Sequence, residues 1–251
     1  MTVHQTIAAP GVLRLTIDEP AKRNALTVAT MAALATGLER LASDGEIRVG
    51  VLSAAGDYFC AGGDTSRMGT QRPGPWQRRD LLDAGVGRLA RQFLQLDKPV
   101  VAAVTGPAIG AGMDLALWCD FRFAAPGAEL RAGFIDLGLA PGFGSAWHLT
   151  RLLGPSRALE ILLTGRPVTA EQALALGLYR SVTDQPEAAA VEFATELAGK
   201  PAPAVRATKR LVQQALTSGI REHLELAWCQ FGLLQETPEH SAAVQAWRER
   251  R

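Results

Sequence analysis

Residues Gly106 to Asp120, GPAIGAGMDLALWCD, constrain this chain more than any other stretch. They follow the most strand-like run in the sequence, Pro99 to Thr105 (PVVAAVT), and set Gly106, Gly110 and Gly112 around a tight turn. An apolar segment, Met113 to Trp118, then opens with one carboxylate, Asp114, just inside its start. A buried strand, a glycine turn and a helix N-terminus bring backbone N–H groups to a point. Those amides, backed by the positive end of the helix dipole, stabilise an anion. Asp114 can reach a group held there and act on it as general acid or base. It can also simply satisfy amides of its own helix.

A second corner has the same build. Phe59 to Met68 reads FCAGGDTSRM after another strand-like run, Val49 to Ser53 (VGVLS). Gly62 and Gly63 let the backbone approach a ligand closely, and Asp64 suits the N-cap of the next segment. Two such corners, each presenting one N–H to the same oxygen, make an oxyanion hole.

Composition narrows the class. A chain of 251 residues with 47% hydrophobic content buries one large core, or one core with a helical appendage. Its net charge of +1, with basic residues scattered, excludes an electrostatic footprint for nucleic acid. Three cysteines (Cys60, Cys119, Cys229) and four scattered histidines (His4, His148, His223, His240) suggest neither a disulfide framework nor a metal site. The N-terminus lacks the basic and apolar regions of a signal peptide, and no apolar run approaches the ~20 residues of a membrane helix. A cytoplasmic protein is expected. Other chemistries fit poorly: Leu115 stands where a dinucleotide fingerprint needs its third glycine, and no P-loop, GxSxG or HExxH occurs.

Periodicity gives the layout. Val3–Ala8 and Val12–Asp18 read as strands around the Pro10-Gly11 turn. Thr27 caps a helix to about Ser43, and Arg78 to Leu96 carries Leu81, Leu82, Val86, Leu89, Phe93 and Leu96 at helical spacing. Gly69 to Pro75 reads as a loop. A strand is expected at Phe121–Ala124, extended chain over Leu130–Pro141, and a third glycine turn at Gly142–Gly144. Helices come next at Ser145–Leu153, Arg157–Thr164 and Thr169–Leu176, the last with a Thr169/Gln172 capping box. After a short strand at Arg180–Thr183, only helices remain: Glu187–Gly199, Pro203–Ser218, Ile220–Gln235 and Glu239–Arg250. This order predicts a layered α/β core and then a helical C-terminal region, with the boundary between residues 185 and 186.

The motifs in order resemble the crotonase superfamily, the enoyl-CoA hydratase/isomerase family. FCAGGD is similar to its F-x-A-G-x-D corner. GPAIGAGMDLALWCD is similar to G-x-x-x-G-x-G-x-[ED]-L-x-x-x-C-D. KRNAL (22–26), LGLAPGFGSAWHLTRLLG (137–154), LLTGRPVTAEQALALGL (162–178) and ATKRLV (207–212) extend the match over nearly the whole chain. The resemblance implies an α/β spiral of ββα repeats over residues 1–185. It also implies a C-terminal helical region, 186–251, that covers the site and packs copies into trimers or hexamers. The implied substrate is an acyl-CoA thioester, with coenzyme A as part of the substrate and no separate cofactor, metal, nucleic acid or membrane. The oxyanion amides are those of Gly63 and Ala111, and Asp114 moves the proton. Lys22, Arg23, Ala25, Ala61, Asp64, Phe134, Lys209 and Phe231 are implied in contacts with CoA or substrate. For Lys22 and Arg23 an exposed basic loop is the plain alternative; for Lys209 it is a solvated helix lysine, and for Phe231 core packing.

One departure bears on the reaction. Hydratases of the family carry a glutamate seven residues before the Pro of the third turn, and here that position is Phe134. Many family isomerases place an acid directly after that Pro, and here it is Gly142. Asp136 and Glu129 lie nearby, and Asp136 substitutes only if its side chain points inward. A double-bond isomerase, a carbon–carbon bond-forming or bond-cleaving relative, and a non-catalytic acyl-CoA binder all stay open, and isomerisation fits better than efficient hydration. The acyl chain, and whether the thioester is on CoA or a carrier protein, are not in the sequence.

Overall fold

A computed structural model describes residues 2–64 and 74–250. Nine strands and eleven α-helices are built from them. The main sheet runs β1 (Val3–Ala9), β2 (Val12–Ile17), β3 (Val49–Ala54), β4 (Val100–Val104), β6 (Phe121–Ala124) and β9 (Ser181–Val182), in that order. Only β1 and β2 pair antiparallel; the rest are parallel. Both faces of the sheet are covered, so β3 and β4 are buried at every residue. Leu52, Ala102 and Val104 point to a core shared with α1 (Val28–Ser43), α3 (Arg88–Gln95) and α4 (Ala111–Trp118). Val49, Val51, Val101 and Ala103 point the other way, onto Ala190, Ala194 and Ala198 of α8 (Pro186–Ala198). Alanine every fourth residue lets α8 lie close against the strands. The stretch after residue 185 therefore begins as part of the core.

Main-sheet strands alternate with short strands that join a smaller layer. This layer contains β5 (Ala108–Ile109), β7 (Glu129–Arg131) and β8 (Val168–Thr169), extended by single bridges Leu26↔Gly63 and Cys60↔Ala108. The strand, short strand, helix unit thus recurs as the chain winds, most plainly in β4–β5–α4. The remaining helices are α2 (Pro75–Leu82), α5 (Ser145–Leu153), α6 (Pro155–Thr164), α7 (Ala170–Ala175), α9 (Ala202–Ala215), α10 (Ile220–Gln235) and α11 (Pro238–Arg248).

Most element boundaries agree with the periodicity. Thr27 accepts from the Thr30 amide as N-cap, and the Thr169/Gln172 capping box is formed. Three places differ. The helix expected from Arg78 starts at Pro75, a residue preorganised for a first turn, and opens into a π-turn at Asp83–Gly87, where two glycines weaken the α ladder. Leu81 and Leu82 are exposed rather than buried. The 130–141 stretch is extended only at β7; a 3-10 turn lies at Ile135–Leu137, with the Leu137 and Leu139 amides both bonded to the Phe134 carbonyl. The expected loop from Gly69 lies outside the described residues up to residue 73.

The C-terminal helices are fastened to the sheet at its other end. Lys209 Nζ donates to Asp120 Oδ2 (2.7 Å) and to the Lys98 carbonyl (2.9 Å), and Asp120 Oδ2 also accepts from the Val100 amide (2.8 Å). Among the described residues no helix is long and apolar enough to cross a membrane.

The small layer closes only because two corners touch backbone to backbone. A Cβ built on Gly112 would overlap the Cys60 carbonyl, whereas one on Gly63 meets nothing within 4 Å among the described residues. Gly112→Ala is expected to lower the melting temperature sharply or give insoluble protein, while Gly63→Ala melts close to the parent; thermal denaturation of both checks this.

Candidate active site

The site is assembled by backbone hydrogen bonds between consecutive turns of the spiral. The Ala61 amide donates to the Arg23 carbonyl (2.9 Å) and the Leu26 amide to the Gly62 carbonyl (2.7 Å). The Cys60 amide donates to the Pro107 carbonyl (3.2 Å), the Ile109 amide to the Cys60 carbonyl (2.9 Å) and the Gly110 amide to the Arg131 carbonyl (2.8 Å). This ladder uses amides near Gly63 and Ala111 but not those two. Ala111 is the first residue of α4, where an amide has no partner within the helix. Gly62 sits directly against this turn: a Cβ on it would lie 2.6 Å from the Ile109 carbonyl oxygen and 3.4 Å from the Ala111 nitrogen. Among the described residues the Gly63 and Ala111 amides donate no backbone hydrogen bond, and both follow the C-terminal ends of main-sheet strands, β3 and β4.

Asp114 stands in the first turn of α4 and is fully buried. Neither of its carboxyl oxygens has a well-formed hydrogen bond to the protein. Burial lifts its pKa from an ordinary 3.8 to about 6; the Ser145 hydroxyl and the amides of Ser145 and Phe143 pull the other way. They lie near the carboxyl group without satisfying it. A carboxylate tuned close to neutral pH, with both oxygens unspent, is suited to picking up a proton and giving it back.

The two positions where the family's second acid was expected carry none: they are Phe134 and Gly142. The Phe134 ring lies at the Gly110 turn, 3.7 Å from where a Cβ on Gly110 would be. Asp136 instead pairs with Arg131 at 3.1 Å, about half exposed, and so points to the surface. Glu129 is on β7, opposite Thr169.

Of the other expected site residues, Ala25 and Ala61 lie on the ladder beside the Gly62–Gly63 corner. Lys22 and Arg23 are exposed on the same loop, with Arg23 over the Tyr58 ring at 5.3 Å. Asp64 is exposed at the corner's end, and the segment it was expected to cap lies outside the described residues. Lys209 is neither solvated nor in this chain's own site: it is paired at the start of β4, a strand length away. Phe231 is not core either; it is 67% exposed on α10, which packs chiefly on α9. Two residues were missed. Asn24, fully buried, ties the Lys22–Leu26 loop down by donating to the Ala55 and Tyr58 carbonyls (2.7 Å each). Its φ of 54° is left-handed, a conformation asparagine tolerates, and an asparagine in a polar loop was the available signal. Ser145, fully buried, faces Asp114 from α5, and nothing local in the sequence announces it. Among the described residues no group of three His, Cys, Asp or Glu could hold a metal.

Known proteins are similar to this chain in sequence and fold. The family model described as "Enoyl-CoA hydratase/isomerase" matches residues 8–251. "Probable enoyl-CoA hydratase EchA14" of Mycobacterium tuberculosis is 38% identical over 208 residues, covering 83% of this chain and 80% of that protein. The Escherichia coli 2,3-dehydroadipyl-CoA hydratase is 34% identical over 251 residues (96% and 93%), and the 1,2-epoxyphenylacetyl-CoA isomerase of the same organism is 34% identical over 219 (86% and 84%). A solved enoyl-CoA hydratase from Bacillus anthracis superposes with a TM-score of 0.93 at 30% identity, covering 100% of this chain and 97% of that one. With the sequence motifs, the winding of the chain, the family model and these relatives all agreeing, this chain belongs to the enoyl-CoA hydratase/isomerase family.

Proposed function

We propose that this enzyme shifts a double bond in an acyl-CoA thioester, and that hydration is at most a minor activity. The observation that carries the reading is Asp114, the one fully buried carboxylate among the described residues, with Phe134 at the oxyanion turn and Asp136 turned outward to Arg131. Adding water asks for one group to activate the water and another to handle the α-proton. Moving a double bond asks for one group used twice. With a β,γ-enoyl thioester, the Asp114 carboxylate removes the α-proton. The charge passes to the thioester oxygen, held by the Gly63 and Ala111 amides. The carboxylic acid then returns the proton to the γ-carbon, giving the α,β-enoyl product. Each oxyanion donor of this kind contributes about 3 kcal/mol to transition-state stabilisation. Lys22 and Arg23 flank the corner and supply positive charge for the phosphates of CoA. The relatives' names include both a hydratase and an isomerase, so substrates of both kinds belong in the test.

Copies of the chain complete the enzyme in this reading. Helix α10 buries no residue in the single chain, and Ile220 (73% exposed), Trp228 (61%) and Phe231 (67%) leave its apolar surface to a neighbour, as a homotrimer or dimer of trimers requires. A cytoplasmic site of action fits three free cysteines.

Isomerisation of a β,γ-enoyl-CoA is expected to exceed crotonyl-CoA hydration on one preparation, with kcat/KM rising as pH passes about 6, where Asp114 ionises. Asp114→Asn should remove ~10²–10⁴ of the rate. Faster hydration than isomerisation would sink the reading.

The raised pKa also makes a stability statement. Below 3.8 Asp114 is protonated folded and unfolded; as pH rises to about 6 only the unfolded chain gives up its proton, and above that the folded chain carries a buried charge. The accumulated cost is about 3 kcal/mol. Asp114→Asn should melt higher than the parent at pH 8, with the gap closing near pH 4, as calorimetry would read. Light scattering should give a trimer or hexamer mass that Trp228→Glu with Phe231→Glu reduces.

A further inference from the structure

We propose that Ser145 is the positioning residue for Asp114: its hydroxyl donates to one carboxyl oxygen and leaves the other free to carry the proton. The proposal rests on the proton-carrier role of Asp114 argued above. Ser145 is fully buried at the first residue of α5, and its Oγ has no hydrogen-bond partner. Asp114 is fully buried on α4, and both its carboxyl oxygens lack one. Helices α4 and α5 pack on each other, and the Ser145 hydroxyl and the amides of Ser145 and Phe143 are near enough to the Asp114 carboxyl group to favour its charged form. A buried hydroxyl and a buried carboxyl group, each without a partner and each beside the other, fit one short rotation from a hydrogen bond. His148 Nε2, three residues along the same helix, is also buried without a hydrogen-bond partner. His148, one turn along α5, is held edge-on against Trp118 (4.5 Å) and Trp147 (4.9 Å).

Through such a bond the hydroxyl favours the carboxylate over the acid, because only the charged oxygen accepts strongly. It also fixes which oxygen faces the substrate. The other titratable groups packed around α4 do not change charge in the working range. Burial pushes the thiols of Cys60 and Cys119 up to about 12 and the Tyr179 hydroxyl higher still, and holds His148 down at about 4. The Arg122 guanidinium bonds the Cys119 carbonyl at the far end of the helix. Between pH 5 and pH 8 Asp114 is therefore the group in this shell that titrates.

The test is a carbon-13 NMR titration of the aspartate carboxyl signals in the ligand-free protein, with the Asp114 signal identified by its loss in Asp114→Asn. Ser145→Ala should raise the Asp114 midpoint by about one unit, and Ser145→Thr should bring it back. The same variants, assayed with a β,γ-enoyl-CoA, should show kcat down by about tenfold in Ser145→Ala with KM unchanged and the acid limb of the pH profile moved upward. An Asp114 midpoint identical in parent and Ser145→Ala overturns the proposal, even if the variant melts lower. Because the titration needs no turnover, a moved midpoint in a protein that fails to isomerise would sustain the role of Ser145 and reject the reaction.

Discussion

The structure depends on one close approach: the Gly110–Gly112 turn against the Cys60–Gly62 corner. Backbone lies on backbone there, with the Ile109 amide bonded to the Cys60 carbonyl and no room for a side chain on Gly112. The candidate site hangs from that contact. It aligns the ends of two second-layer strands, leaves the Gly63 and Ala111 amides out of the ladder, and starts α4 so that Asp114 turns inward. Glycine is required because any Cβ would drive the two strand ends apart.

The electrostatics come from burial rather than from partners. Asp114 has no satisfied oxygen, and its raised pKa is an effect of desolvation. The contrast within the fold is Asp120, which spends its Oδ2 on Lys209 and the Val100 amide. One carboxylate is consumed in fastening the C-terminal helices to the sheet; the other is kept unsatisfied at the opposite end of the same strands. Unsatisfied polar groups in a core cost stability, and they persist where function uses them.

Much of the fold was legible because its signals are local. Alternating and continuous apolar runs marked β1 to β4 and β6. Thr27 and the Thr169/Gln172 pair marked helix starts, and the glycine clusters marked both corners. The two-residue strands β5 and β8 were not legible, since so short a run carries no periodicity and exists only through its neighbours' hydrogen bonds. The π-turn at Asp83–Gly87 and the 3-10 turn at Ile135–Leu137 were hidden for the same reason.

The sequence alone determined the winding order of the chain, the two glycine corners, the presence of one carboxylate at Asp114 and the replacement of the expected second acid by Phe134. These depend on residue type and spacing, which are properties of the string. Only the tertiary structure decided which way side chains point. It turned Asp136 outward to Arg131, committed Lys209 to Asp120, buried Asn24 under the loop it holds, and set Ser145 opposite Asp114. Residues 31 positions apart in the chain, such as Asp114 and Ser145, meet because two helices pack, and the packing energy comes from the surrounding core rather than from either residue.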